Sequence, residues 1–116
     1  MAPITIWIAR DGDEGTRMAI ISCSAYVWYG SQIIDVMDEA VRIFKRFHQH
    51  WTDKDLYWLT SSIAGVNAGE EIDTTLTKED DLLAVVKTTY DEETEETELT
   101  ITIYEEGYSI NGDKPE

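Results

Sequence analysis

Residues 4–10 alternate along the chain. Ile4, Ile6 and Ile8 fall on one side of an extended backbone and Thr5, Trp7 and Ala9 on the other, the pattern of a strand with one buried face. Asp11-Gly12-Asp13-Glu14-Gly15 has the composition of a turn. Residues 16–28, rich in small and apolar types from Met18 to Cys23, read as a second strand. Together they predict an antiparallel hairpin. The pattern then changes period. Ile33, Ile34, Met37, Ala40, Val41, Phe44, Phe47, His48 and Trp51 recur at helical spacing, with Asp35, Asp38, Glu39, Arg42, Lys45, Arg46 and Gln49 opposite. Gly30-Ser31 offers an N-cap, and bases gather toward the end, where they complement the helix dipole. This predicts an amphipathic helix from about 31 to 51, its apolar stripe packed on the sheet.

Leu56-Tyr57-Trp58-Leu59-Thr60 reads as a short strand, and Ser61 to Gly69 as a loop. Residues 77–90 carry two patterns. Thr77-Lys78-Glu79-Asp80 resembles a helix start, and Leu82, Leu83, Val86 and Tyr90 fit a helical face. The same stretch is rich in β-branched residues, and Glu98 to Tyr104 alternates Leu and Ile against Thr and Tyr. A hairpin of 82–90 with 97–105 is preferred, with the acidic run 91–96 as its exposed connection. Residues 111–116 read as a loose tail behind a single domain at 1–110. The expected architecture is α+β: an antiparallel sheet of four to five strands, ββαβ plus a C-terminal hairpin, with one long amphipathic helix on one face.

Composition adds charge to this frame. The 116 residues hold 24 acids and 9 bases, net −15, with a pI near 4.2. Repulsion at that charge opposes direct binding to DNA, RNA or an anionic membrane. The charge is segregated. Residues 1–54 carry seven acids and six bases, whereas residues 55–116 carry seventeen acids and three bases. The single Cys23 forms no intramolecular disulfide, and no basic region precedes the apolar N-terminal stretch, which Arg10 and Asp11 end far short of a membrane span. A cytoplasmic protein is the expectation.

Enzyme signatures are sparse. No glycine spacing matches a dinucleotide or phosphate loop, and no serine sits in a nucleophile elbow. Cys23 lies in an apolar strand, where it reads as a buried thiol rather than a nucleophile paired with His48 or His50. The two histidines, two residues apart on a helix, point about 200° from each other and cannot share a metal. Asp11 to Gly15 looks like half a calcium loop, but Ser22 stands where the closing glutamate belongs. No cofactor and no metal site is expected, and no enzyme activity.

The acidic half is the remaining feature. Asp91, Glu92, Glu93, Glu95, Glu96 and Glu98 form its densest run, with Glu79, Asp80 and Asp81 before it and Glu105 and Glu106 after it. In an extended segment, same-face carboxylates stand about 6.6–6.8 Å apart, close to the spacing of every second phosphate, phosphates recurring at about 3.4 Å. These eleven residues are the expected partner-binding set, a negative ridge for a basic, phosphate-reading cleft. In size, charge and charge clustering the chain resembles viral counter-defence proteins that act on restriction or CRISPR effectors, and immunity proteins that neutralise nuclease toxins. That resemblance implies an inhibitor whose carboxylates mimic phosphates, whose partner is a basic nucleic-acid-binding protein such as a nuclease, and which acts as a monomer or homodimer. Trp28, Tyr29, Tyr104 and Tyr108 are candidate interface anchors. The alternatives are an adaptor for a basic partner, a salt-adapted structural domain, and a small carboxylate enzyme.

Overall fold

The computed structural model describes residues 3–11, 16–68 and 70–108. Residues 12–15 of the expected turn, with its half calcium loop, and the expected tail at 111–116 lie outside them. Strands β1 (Thr5–Asp11) and β2 (Thr16–Ala25) form the expected antiparallel hairpin, Ile6 opposite Ile21 and Ile8 opposite Ala19. Ala19, Ile21, Cys23 and Ala25 of β2 point into the core. Residues 26–28, expected to continue this strand, are instead a connecting loop.

Helix α1 (Gly30–Phe47) buries Ile33, Val36, Ala40, Ile43 and Phe44. It is shorter than the expected 31–51 and begins without side-chain capping, with Tyr29 rather than Ser31 at the N-cap. The chain leaves the helix at His48, which is extended (φ −126°, ψ 97°) and donates its N–H to the Phe44 carbonyl at 2.9 Å. Trp51 therefore belongs to a connection, where Lys45 lies over its ring.

A second helix, α2 (Asp53–Ala64), stands where a short strand at 56–60 and a loop from 61 were expected. The reason is local. Thr52 Oγ1 accepts the Asp55 N–H at 3.2 Å, and an Asp55 carboxylate oxygen accepts the Thr52 N–H at 3.0 Å, a reciprocal cap that starts a helix. Leu56, Leu59 and Ile63 then fall on one face, and the latter two are fully buried. Thr60 and Ser61 donate their hydroxyls to carbonyls one turn back, at Leu56 and Trp58, so their polarity is absorbed within the helix. A 3₁₀ turn (Gly65–Ala68) follows.

The remaining strands are β3 (Asp73–Lys78), β4 (Asp81–Asp91) and β5 (Glu96–Tyr104). The preferred hairpin is the one present, β4 with β5. Thr77 to Asp80 is not a helix start but the end of β3 and a tight turn. β3, which the sequence pattern did not mark, pairs with β4. The sheet is antiparallel throughout, in the order β1-β2-β5-β4-β3. The expected ββαβ plus hairpin with one helix thus becomes ββααβββ, still α+β. The hydrophobic β5 is central, its Leu99, Ile101 and Ile103 buried under α1. α1 packs on β2 and β5, and α2 on β3 and β4. Alternation along β5 turns Thr100, Thr102 and Tyr104 to the opposite face, where register aligns Trp7, Ile20, Thr102, Val85 and Thr75.

Candidate protein-binding end of the sheet

The antiparallel hairpins divide the eleven acidic residues into two groups. Glu79, Asp80 and Asp81 sit in the β3–β4 turn, at the same end of the sheet as Glu105 and Glu106, which follow β5. Asp91, Glu92, Glu93, Glu95 and Glu96 form the β4–β5 connection at the other end, with Glu98 a step into β5. Leu82 to Tyr90 of β4 lie between the groups, and Asp81 and Asp91 at its two ends stand about 33 Å apart. The single ridge expected from proximity in sequence is therefore not formed.

The regular carboxylate spacing is also absent over 92–95. The Asp91 carbonyl accepts the Glu95 N–H at 2.8 Å, and its side chain accepts the Glu93 N–H at 2.9 Å. Glu95 adopts φ 59°, and the Thr94 hydroxyl accepts the Glu96 N–H. A folded turn presents its carboxylates as a fan rather than a row.

Not all eleven carboxylates face solvent without commitments. Arg17 donates to Glu105 through its backbone N–H, Nε and Nη2 at 3.0, 3.2 and 2.9 Å. The Arg17 side chain, and then its N–H, hold the Glu105 carboxyl below the usual range. Glu105 is thus a tie between β2 and the end of β5. Beyond it Gly107, at φ 93°, turns the chain so that Tyr108 accepts the Leu82 N–H at 2.8 Å and stacks on Tyr104. Those two tyrosines, candidate anchors in the sequence, are committed to each other. Glu98 accepts hydroxyls from Ser22 and Thr100.

The end carrying Asp91 to Glu96 has a second feature, which the sequence pattern did not reveal. A cleft of about 690 Å³ opens there between the β2–α1 loop (Tyr26, Val27, Trp28) and the chain at the start of β3 (Glu70, Glu71, Ile72, Asp73), with Lys87, Thr88, Tyr90 and Thr97 also lining it, so that three carboxylates outnumber one ammonium. Trp28 is half-buried and held by a 3.1 Å bond from its Nε1 to the Thr97 carbonyl. Tyr26, Tyr29 and Tyr90 are exposed. A shallower hollow of about 400 Å³, lined by Tyr26, Tyr29, Gln32 and Glu96, adjoins it across Tyr26 and Val27. Aromatic walls beside carboxylates suit a cationic group, and Arg most of all, through stacking and charge. The signal in the sequence was Tyr26-Val27-Trp28-Tyr29, whose aromatic density and lack of alternation mark a loop rather than the end of a strand.

Cys23 stays apart from the two histidines, whereas His48 and His50, expected to diverge on a helix, lie beyond its end at Phe47 and reach one cavity. Cys23 is buried and accepts a bond from Gln32 Nε2 at 3.4 Å, and burial pushes its thiol pKa up. Gln32 lies in the first turn of α1 and His48 just past its last, about 24 Å apart along the helix, so the thiol has no imidazole beside it. His48 is buried against Phe44 with Nε2 unpartnered, while His50 is exposed. Both line a small cavity of about 70 Å³ with Asp55, Lys78, Asp81 and Glu106. Among the described residues no set of three His, Cys, Asp or Glu is arranged around a metal position, and no helix is long and apolar enough to cross a membrane. Compared with known protein families, characterised proteins and solved structures, the chain matches none.

Proposed function

We propose that this chain is an inhibitor-type binding protein. It seats the acidic, aromatic-lined end of its sheet on the basic surface of a nucleic-acid-binding protein and so blocks access of DNA or RNA. The observation that carries this reading is the joining, at one end, of the Asp91–Glu96 fan with the cleft between Tyr26, Trp28, Tyr90, Glu70 and Glu71. Carboxylates steer a basic partner and set the encounter rate, while exposed aromatics provide the desolvated anchors that hold it. The contact mimics phosphate by charge density rather than by regular spacing, because residues 92–95 are a turn. Glu79, Asp80, Asp81 and Glu106, at the far end, are outside this contact and contribute only to the long-range field.

The folded turn favours one second reading, an adaptor whose basic partner has no nucleic-acid role. One experiment separates the two. The tagged protein is incubated with cell lysate at low and high salt, with and without competing DNA or RNA, and captured proteins are identified. A partner released by nucleic acid supports inhibition by mimicry, and one indifferent to it supports the adaptor. With that partner purified, changing Glu92, Glu93, Glu95, Glu96 and Glu98 to Gln is expected to slow association most at low salt. Tyr26→Ala with Tyr90→Ala is expected to speed dissociation. Wild-type kinetics in both variants would refute the assignment of this end.

A further inference from the structure

We infer that β1 is a self-association edge, through which two copies of this chain pair antiparallel and join their sheets into one of ten strands. The two edges of the sheet are built differently. β3, the outer strand on the acidic side, carries a register irregularity between Leu76 and Thr77, and Asp73, Glu79, Asp80 and Asp81 stand at its ends. Bulges and charge are the ordinary devices that keep an edge strand from pairing with another chain. β1 has no bulge, its register with β2 being unbroken for seven residues, and its charges, Arg10 and Asp11, stand at the turn end, which leaves Ile6, Trp7 and Ile8 as a stretch apolar on both faces. Ile6 and Ile8 are 38% and 54% exposed on the helix side, where α1 packs chiefly on β5 and β2. Trp7 is 44% exposed on the open face. Among the described residues no strand lies beyond β1.

The backbone geometry places the pairing groups. The Arg17 carbonyl accepts the Glu105 N–H, so Arg17 directs its backbone groups at β5. Alternation assigns the same direction to Ala19 and Ile21, whose counterparts across the hairpin are Ile8 and Ile6. Ile6 and Ile8 therefore direct their N–H and C=O away from β2, at the open edge. A two-fold axis at Trp7 makes this edge self-complementary. Ile6 of one copy exchanges both bonds with Ile8 of the other, the isoleucines meet side by side on the helix face of the sheet, and the two Trp7 meet on the opposite face at the closer cross-strand spacing.

Charge selects a second copy as the occupant and this edge as the place. Two molecules of net −15 repel, but residues 1–54 are within one charge of neutral, and in the β1–β2 hairpin Arg10 and Arg17 offset two of the three acids Asp11, Asp13 and Glu14. β3 is four strand spacings away, about 19 Å. Pairing through β1 keeps both acidic halves outermost and leaves the cleft end of each copy accessible.

The test is analytical ultracentrifugation of the full chain from about 1 to 100 μM, at low and high NaCl. A reversible dimer is expected whose population rises with protein and also with salt, because salt screens the repulsion between copies. Partner binding at the acidic end has the opposite salt dependence, so either idea can fail alone. Ile8→Pro removes the outward N–H but no bond to β2, and Ile8→Lys places a charge in the joint. Each is expected to weaken the dimer at least about tenfold, with unchanged far-UV circular dichroism. Thr75→Lys on β3 is expected to leave it intact, and Trp7→Cys to form a disulfide-linked dimer on oxidation. A monomer at every concentration and salt, or a dimer indifferent to both Ile8 variants, would overturn the inference. Failure of Trp7→Cys to crosslink would overturn the Trp7-centred axis.

Discussion

Asp55 is a carboxylate in a buried position with two commitments, and removing it measures what starts α2. One oxygen accepts the Thr52 N–H at 3.0 Å and the Lys78 Nζ at 3.2 Å, tying the helix start to the end of β3. Burial alone would raise its pKa. The bond from the Thr52 N–H, followed by those from Lys78 and the Thr52 hydroxyl, outweighs it and leaves the carboxyl below its ordinary 3.8. Asp55→Ala deletes one arm of the cap, about 1 kcal/mol. It also deletes an ion pair whose lysine is half exposed, a further ~1 kcal/mol at most. At a melting entropy near 2.1 cal/mol/K per residue, a loss of about 2 kcal/mol lowers Tm by about 8 °C. Asp55→Asn keeps an oxygen for the Thr52 N–H and loses only the charge, so its drop is about half as large. The assay is thermal unfolding by circular dichroism at pH 7 and again near pH 3. Because the folded pKa is depressed, the carboxylate's contribution is present above its unfolded value and lost as pH falls through the folded one. The gap between wild type and Asp55→Ala therefore narrows at acid pH. A Tm within about 2 °C of wild type for Asp55→Ala at pH 7, or equal losses for Ala and Asn, would refute the cap as the origin of α2.

Other outcomes follow from the same contacts. His48 is buried with Nε2 unpartnered, and desolvation lowers its pKa below 6.5 despite opposing contributions from the Tyr104 carbonyl and Glu106. The unfolded chain thus takes up the proton first, so stability is complete above about pH 6.5 and falls as pH drops toward the folded value. His48→Phe is expected to flatten that fall in a pH series of melting curves. Phe44 is fully buried at the centre of the core, and Phe44→Ala is expected to cost about 3–5 kcal/mol in urea unfolding. Glu105→Gln breaks a part-exposed pair with Arg17 and is expected to cost about 1 kcal/mol or less. Glu92→Gln with Glu93→Gln relieves repulsion in an exposed turn, and calorimetry is expected to show an unchanged or slightly raised Tm.

Much of this molecule follows from local pattern. Period-two alternation at Ile4 to Ala9 and at Leu99 to Tyr104, and period 3.6 from Ile33 to Phe47, specify two strands and a helix wherever one face is buried. The charge asymmetry between halves is likewise a property of the chain alone. Local pattern misleads at 56–60, where aromatic and apolar residues suggest a strand although the Thr52–Asp55 cap that starts a helix is equally legible in the sequence. It was silent at 73–78, since β3 has its inner face only half-buried and no strong alternation.

Tertiary structure decided the rest, because it depends on which strand lies beside which. Acidic residues close in sequence at 79–81 and 91–96 are set at opposite ends by β4, which runs from Asp81 to Asp91, and residues distant in sequence, Tyr26, Glu70 and Tyr90, are brought around one cleft. Ile6 and Ile8 of β1, apolar in the sequence and so expected to be buried, are left partly open because the two helices pack chiefly on the other four strands. A sequence states which side chains avoid water; whether anything arrives to cover them is settled by the width of the layer above.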